Sequence, residues 1–224
     1  MARIPVLQPP GRQDAVIPHV YRPRMAAAME QLAAAVYQET TLTYREAEGA
    51  RILIAHLNGC LMCQGYRIAA HLPAALHKMG SAEAPNTGKS RGEAPSEAFY
   101  QAVAADWRAS DMLSDRERLA IEYAERIALE PVPLPRDDAF WERLHAHFDD
   151  GEIADLTYSI TTWIATGRVV HALGLDGTCE IHAPGSAHSL STRPPLSTRP
   201  SLSEPTSLSK PTSSRAGPAH NHRQ

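Results

Sequence analysis

The sequence predicts an all-α fold on three observations. Apolar residues recur at helical spacing in several long segments, strand-like alternation bounded by turns is almost absent, and Ser, Pro and Gly stand where helices would begin and end. The expected architecture is a bundle of five to seven helices over residues 23–176. An extended arm at 1–22 precedes it, and a disordered Ser/Pro/Thr-rich tail at 185–224 follows.

The arm carries Pro5, Pro9, Pro10 and Pro18 without periodicity, so it reads as extended chain able to pack on a neighbour. Beyond Pro23, the residues Met25, Met29, Leu32 and Val36 form one apolar stripe and predict a first packing helix. A second helix is expected from Thr43 to Leu57, where the run Ile52-Leu53-Ile54-Ala55 implies burial on most sides. Asn58-Gly59 is its stop signal, because both residues accept the left-handed conformation that closes a helix.

A third helix is expected to begin near Cys60 and run through GYRIAAHLPAALHKM, bending or ending near Pro73. Residues 80–95, rich in Gly, Pro, Ser and Lys, read as a loop. Ser96 should cap the next helix, and Ser114 with Glu117 makes a capping box for the one after it. Another helix follows Pro135 through DDAFWERLHAHF, and GEIADLTYSITTWIATGRVVHAL makes the last. Trp107, Trp141 and Trp163 are expected in core or subunit contacts.

Composition narrows the partners. Hydrophobic residues at 43% and charged residues at 21% fit a soluble globular protein, and a net charge of -3 gives no general attraction to nucleic acid. No segment approaches the roughly 18 apolar residues of a membrane-spanning helix, and MARIPVLQPPGRQD lacks a signal peptide's apolar middle region. A cytoplasmic location without membrane attachment is expected. The tail's near-repeats LSTRPP, LSTRPS, LSEPTS and LSKPTS cannot bury enough apolar area to offset ordering entropy, and its mildly basic balance reads as solubility.

Three cysteines argue against a secreted disulfide framework and turn attention to Cys60-Leu61-Met62-Cys63. Three residues apart on a helical turn, the two thiols share a face and can reach disulfide distance. If Gly59 ends the preceding helix, both lie in the first turn of the next, where free backbone N–H groups favour a thiolate. Other readings stay open. A zinc half-site would look to His56 and His71, but no second ligand pair is present; two inert structural cysteines are another option; a thioredoxin-type site would need alternating strands. No metal or organic cofactor is expected, and Cys179 reads as a peripheral thiol.

The segment Glu48-Gly-Ala-Arg-Ile-Leu-Ile-Ala-His56-Leu-Asn-Gly-Cys60-Leu-Met-Cys63 resembles the signature of the alkylhydroperoxidase D and carboxymuconolactone decarboxylase superfamily. LSDRERLAIEYAERIA and FWERLHAHFDDGEIADLTYSITTWIATGRVVHALGL are similar to the second half of those domains, so the resemblance spans roughly residues 20–176. It implies an alkylhydroperoxidase-like helical bundle, a homo-oligomer and a thiol-dependent peroxidase. Cys63 would attack the hydroperoxide, Cys60 would resolve the sulfenic acid, and an unidentified dithiol reductant would restore both thiols.

The resemblance also implies a proton relay in which a glutamate, here Glu48, couples through water to a histidine four residues past the second cysteine. That position is Arg67, which can hold a thiolate or anion by charge but cannot serve as a base. His56, four residues before Cys60, is the candidate to flank the thiols, and His71 lies farther along the next helix. Glu48 has a plainer alternative, a helix-surface ion pair with Arg51. The alternative functions are a decarboxylase of the carboxymuconolactone kind, whose branch does not depend on C-x-x-C, and a non-enzymatic redox-sensing or disulfide-exchange module.

Overall fold

The computed structural model describes residues 2–5, 21–78 and 91–175. Among them lie eight α-helices and no strand: α1 Pro23–Glu39, α2 Tyr44–Leu57, α3 Leu61–Gly65, α4 Ile68–Lys78, α5 Glu97–Asp106, α6 Asp115–Leu129, α7 Asp138–His145 and α8 Asp150–Ala172. The expected disorder of the tail, most of the arm, Cys179 and most of the 80–95 loop fall outside the described residues. Of the arm's first residues, Arg3 donates its backbone N–H to the Leu173 carbonyl (2.8 Å) at the end of this chain's own α8.

The helix starts follow the sequence signals. Thr43, Ser114 and Asp149 each accept the N–H of the residue three further on, and Glu46, Glu117 and Glu152 return the bond to the cap N–H. Ser96 caps α5 through the Phe99 N–H. Helix α7 stops at His145, three residues short of the expected end, after a cap at Asp137.

Helix α2 is the centre of the bundle, and every residue from Glu46 to Ala55 is buried. Ala47, Ala50 and Ile54 join Leu119 and Tyr123 of α6, Phe140 and Leu144 of α7, and Leu156 and Ile160 of α8 in one apolar cluster. Ile52, Leu53 and Ala55 join Phe99 and Val103 of α5, Trp107 and Ile121 in a second. Each large side chain buried this way contributes about 1.5–3 kcal/mol, and the three buried charged residues of the helix, Glu46, Glu48 and Arg51, are each ion-paired.

Two expectations are corrected. The stripe on α1 is only partly a buried face: Val36 is buried, but Met25 is 71% and Leu32 47% exposed. The helix is turned so that Ala26 and Val36 are buried, with Ala34 and Tyr37 packed on the core. The expected third helix is two helices, because Tyr66 is extended (ψ 140°). Its carbonyl is held by Arg51 Nη2 (2.6 Å) and Arg67 Nη1 (2.8 Å), so it is unavailable to continue a helical ladder. Pro73 lies inside α4 without ending it.

Helix α8 passes the end of α2 at Gly167. A Cβ there would lie 2.5 Å from Asn58 Nδ2, which donates to the Trp163 carbonyl at 3.1 Å. Asn58 is buried and cannot easily yield. Gly167→Ala is therefore expected to cost about 1–3 kcal/mol and lower Tm by several degrees; an unchanged melting curve would show that the two helices can separate freely.

Candidate functional site

The site begins where α2 ends. Gly59 takes φ +68°, and its N–H and that of Cys60 return to the carbonyls of His56 (3.1 Å) and Ala55 (3.1 Å), a Schellman closure. Of the Asn58-Gly59 pair it is Gly59 that adopts the left-handed state, while Asn58 stays helical. The ring of His171 on α8 packs 3.0–3.4 Å from where a Gly59 side chain would start, so this position is closed to a side chain on two counts.

The chain emerges at Cys60, the N-cap of α3, whose Sγ accepts the Cys63 N–H at 3.2 Å. The two cysteines are joined as a disulfide, with S–S 2.02 Å and Cα–Cα 5.2 Å. Their exposure differs. Cys60 is fully enclosed (0% exposed), whereas Cys63 is half-buried, packed against the α5 side of the core. The thiols lie at the start of a five-residue helix rather than the long one expected, so direct N–H bonds matter here more than a helix dipole.

A cavity of about 230 Å³ opens beside Cys63. Tyr37 of α1, Arg51 and Ile54 of α2, Met62 and Tyr66 at α3, and Trp163 of α8 make most of its wall. Three aromatic rings frame it, Tyr37 lying 6.4 Å from both Tyr66 and Trp163. The Trp163 indole N–H donates to Tyr37 Oη at 3.1 Å. Burial pushes the Tyr37 and Tyr66 hydroxyls above their ordinary range, so both stay protonated at neutral pH.

Behind the wall sits a buried charge network. Glu48 is 0% exposed; its Oε2 accepts from Arg51 Nε (2.6 Å), and its Oε1 from the Tyr100 hydroxyl (2.8 Å) and the Ile68 N–H (2.5 Å). Glu48 does pair with Arg51, but inside the protein rather than on a helix surface. Arg51 goes on to donate to the carbonyls of Cys63 (2.7 Å) and Tyr66 (2.6 Å). Burial works against the Arg51 charge, but the Glu48 carboxylate together with the Tyr37 and Tyr100 hydroxyls offsets it and holds the guanidinium more firmly protonated than usual.

Arg67 stands elsewhere. Its Nε and Nη2 form parallel 2.8 Å bonds to Glu97, its Nη1 donates to the Gln64 (2.7 Å) and Tyr66 (2.8 Å) carbonyls, and its guanidinium lies 3.8 Å over the Tyr100 ring. Four of its five N–H groups are so engaged, and this corrects the expectation of a cation open to a thiolate or anion. The bond from Arg67 holds the Glu97 carboxyl below the usual carboxylate range. A folded-state value below the unfolded one stabilises the protein above about pH 4.3 and is lost as pH falls through the folded value. Wild type should therefore exceed Glu97→Gln in Tm at pH 7, modestly because Glu97 is 43% exposed, and the gap should close toward pH 3.

His71 Nδ1 lies 2.8 Å from the Arg67 backbone nitrogen and 3.0 Å from the Arg67 carbonyl, and the ring packs on Tyr66. His56 is half-buried in the last turn of α2 and is not part of the cavity wall described above. Among the described residues no group of three His, Cys, Asp or Glu side chains is arranged to hold a metal ion.

Sequence reasoning missed Arg51 as a site residue, together with Tyr37, Tyr66, Tyr100 and Trp163. For Arg51 a signal existed, a cation set directly before the most apolar run of α2. Tyr37 and Trp163 come together through the crossing of α1 and α8, and Tyr66 and Tyr100 reach the site from the end of α3 and from α5, which no local pattern reports.

No protein-family profile matches the chain. A stretch of 79 residues is 42% identical to the uncharacterized protein YnjA of Escherichia coli (strain K12), taking in 34% of this chain and 42% of that protein, less than half of the relative's length. Among solved structures, the chain is similar to a protein of unknown function from Agrobacterium tumefaciens, described as a candidate antioxidant defence protein AhpD. The TM-score is 0.52 at 22% identity, over 72% of this chain and 96% of that one. An uncharacterized peroxidase-related protein from a Silicibacter species gives 0.49 at 18% identity over 70% and 71% of the two chains. The likeness establishes the fold: this is a helical bundle of the AhpD-like type. No helix of the described residues is long and apolar enough to cross a membrane.

Proposed function

We propose that the chain is a member of the alkylhydroperoxidase D and carboxymuconolactone decarboxylase superfamily, and acts in the cytoplasm as a thiol-dependent peroxidase. The observation that carries this reading is the asymmetry of the dithiol: Cys63 faces an apolar cavity while its disulfide partner Cys60 is enclosed. In the cycle, the Cys63 thiolate attacks the terminal oxygen of a hydroperoxide, ROOH. The O–O bond breaks, the released alkoxide takes up a proton as ROH, and Cys63 becomes a sulfenic acid. The Cys60 thiol then displaces water from it, forming the disulfide seen here. An external dithiol reduces that disulfide by exchange, leaving as a disulfide itself.

The enclosed position of Cys60 suits a resolving thiol, which has only to meet Cys63. Glu48 is read as the group that fixes Arg51, Tyr100 and the start of α4 around the site. Self-association, implied by the resemblance, has a candidate surface in the exposed Met25 and Leu32 of α1. A second reading, a redox-sensing dithiol module, is favoured by one observation: the relay position is Arg67, already paired to Glu97. The decarboxylase alternative makes no use of the dithiol.

The test is sulfenate trapping. Reduced Cys60→Ser exposed to an alkyl hydroperoxide should accumulate a trappable sulfenic acid on Cys63, and Cys63→Ser should give none on Cys60. Trapping on Cys60 alone, or on neither, would overturn the assignment.

A further inference from the structure

We propose that Arg51 is the positioning residue that keeps Cys63 as a thiolate, standing in for the relay histidine that Arg67 replaces. The inference rests on Cys63 being the reactive thiol and adds how it is activated. Arg51 is the one charged side chain among the described residues lining the cavity onto which Cys63 opens. Its side chain is 4% exposed, so water screens it little. Its two terminal nitrogens grip the carbonyls of Cys63 (2.7 Å) and Tyr66 (2.6 Å), which brings the guanidinium to the reactive residue itself.

Glu48 binds Arg51 through Nε, whereas the Cys63 carbonyl is on Nη1, and the Glu48 charge is shared with the Tyr100 hydroxyl and the Ile68 N–H. Nη1 of Arg51 is thus the part of the pair that reaches Cys63. From the other elements around the dithiol come Tyr37 on α1 and the neutral Tyr66, with Arg168 of α8 bound to Asn58 Oδ1 (3.2 Å), His171 against Gly59, and His56 on α2. Arg67 is held by Glu97. An opposite charge favours the ionised thiol at Cys63, while the N–H donor at the site, that of Cys63, goes to Cys60 Sγ at 3.2 Å.

The experiment is alkylation of the reduced full-length protein across pH, with the rate at Cys63 read by peptide mass. In wild type the midpoint for Cys63 should lie about a unit or more below the ordinary thiol value of about 8.5. Arg51→Met should raise it by about a unit, slowing alkylation near pH 6.5 roughly tenfold, and Arg51→Lys should recover most of the rate. Arg67→Gln should leave the midpoint in place, and Glu48→Gln, which leaves Arg51 unneutralised, should lower it further. A wild-type midpoint at or above the ordinary value overturns the proposal even if Arg51→Met does not fold, as does a shift in Arg67→Gln without one in Arg51→Met. Because no peroxide is present, an acidified Cys63 in a protein without peroxide turnover would sustain this inference and overturn the peroxidase reading.

Discussion

Glu48→Ala is expected to destabilise the protein by about 3–5 kcal/mol, the magnitude typical of removing one partner from a buried ion pair. The loss has three parts. Arg51 becomes a buried cation without its carboxylate, the Tyr100 hydroxyl loses its acceptor, and the Ile68 N–H at the start of α4 is left unpaired. A helix-surface pair of the same two residues would contribute only about 0–1 kcal/mol, so the magnitude separates the buried network from the plain reading. Denaturant unfolding of the reduced and oxidised forms gives the number, and a cost under about 1 kcal/mol would contradict the network. Loss of the α3–α4 geometry should accompany the destabilisation, because Arg51 carries the restraint from Glu48 to Cys63 and Tyr66.

Replacing the cysteines should give the largest functional effects, and unequal ones. Cys63→Ser is expected to reduce hydroperoxide consumption with a dithiol reductant at least about a thousandfold, because it removes the nucleophile. Cys60→Ser should still react with the first equivalent of peroxide and then stall, since no thiol remains to displace the sulfenic oxygen. Steady-state and single-turnover rates on the two variants measure the difference. Equal loss of the first turnover in both, or Cys63→Ser retaining turnover within tenfold of wild type, would contradict the roles drawn from the unequal exposure of the two residues.

Much of this fold is written locally. The capping boxes at Ser114 and Thr43 and the stop at Gly59 satisfy backbone groups through side chains only a few residues away, so sequence spacing reports them directly. The dithiol was legible for the same reason, as two thiols one turn apart after a glycine. What could not be read locally depends on long-range pairing. The break at Tyr66 is made by Arg51, fifteen residues upstream, and by Arg67 beside it. The partnership of Arg67 with Glu97 spans thirty residues across the segment 79–90. The Met25 and Leu32 stripe misled because helical period reports amphipathicity without saying which face meets this chain's core. Arg51 was underrated because a glutamate three residues away looks the same on a surface helix as in a buried one.

The central claim is that Cys60 and Cys63 form a dithiol that hydroperoxide oxidises to the disulfide seen here. It is tested most directly by counting free thiols and intact mass after fully reduced protein meets one equivalent of an alkyl hydroperoxide. The account predicts rapid loss of two thiols per chain and of the mass of two hydrogen atoms, with both changes mapping to the Cys60–Cys63 peptide. Retention of both thiols at moderate peroxide, with the chain folded throughout, would contradict it.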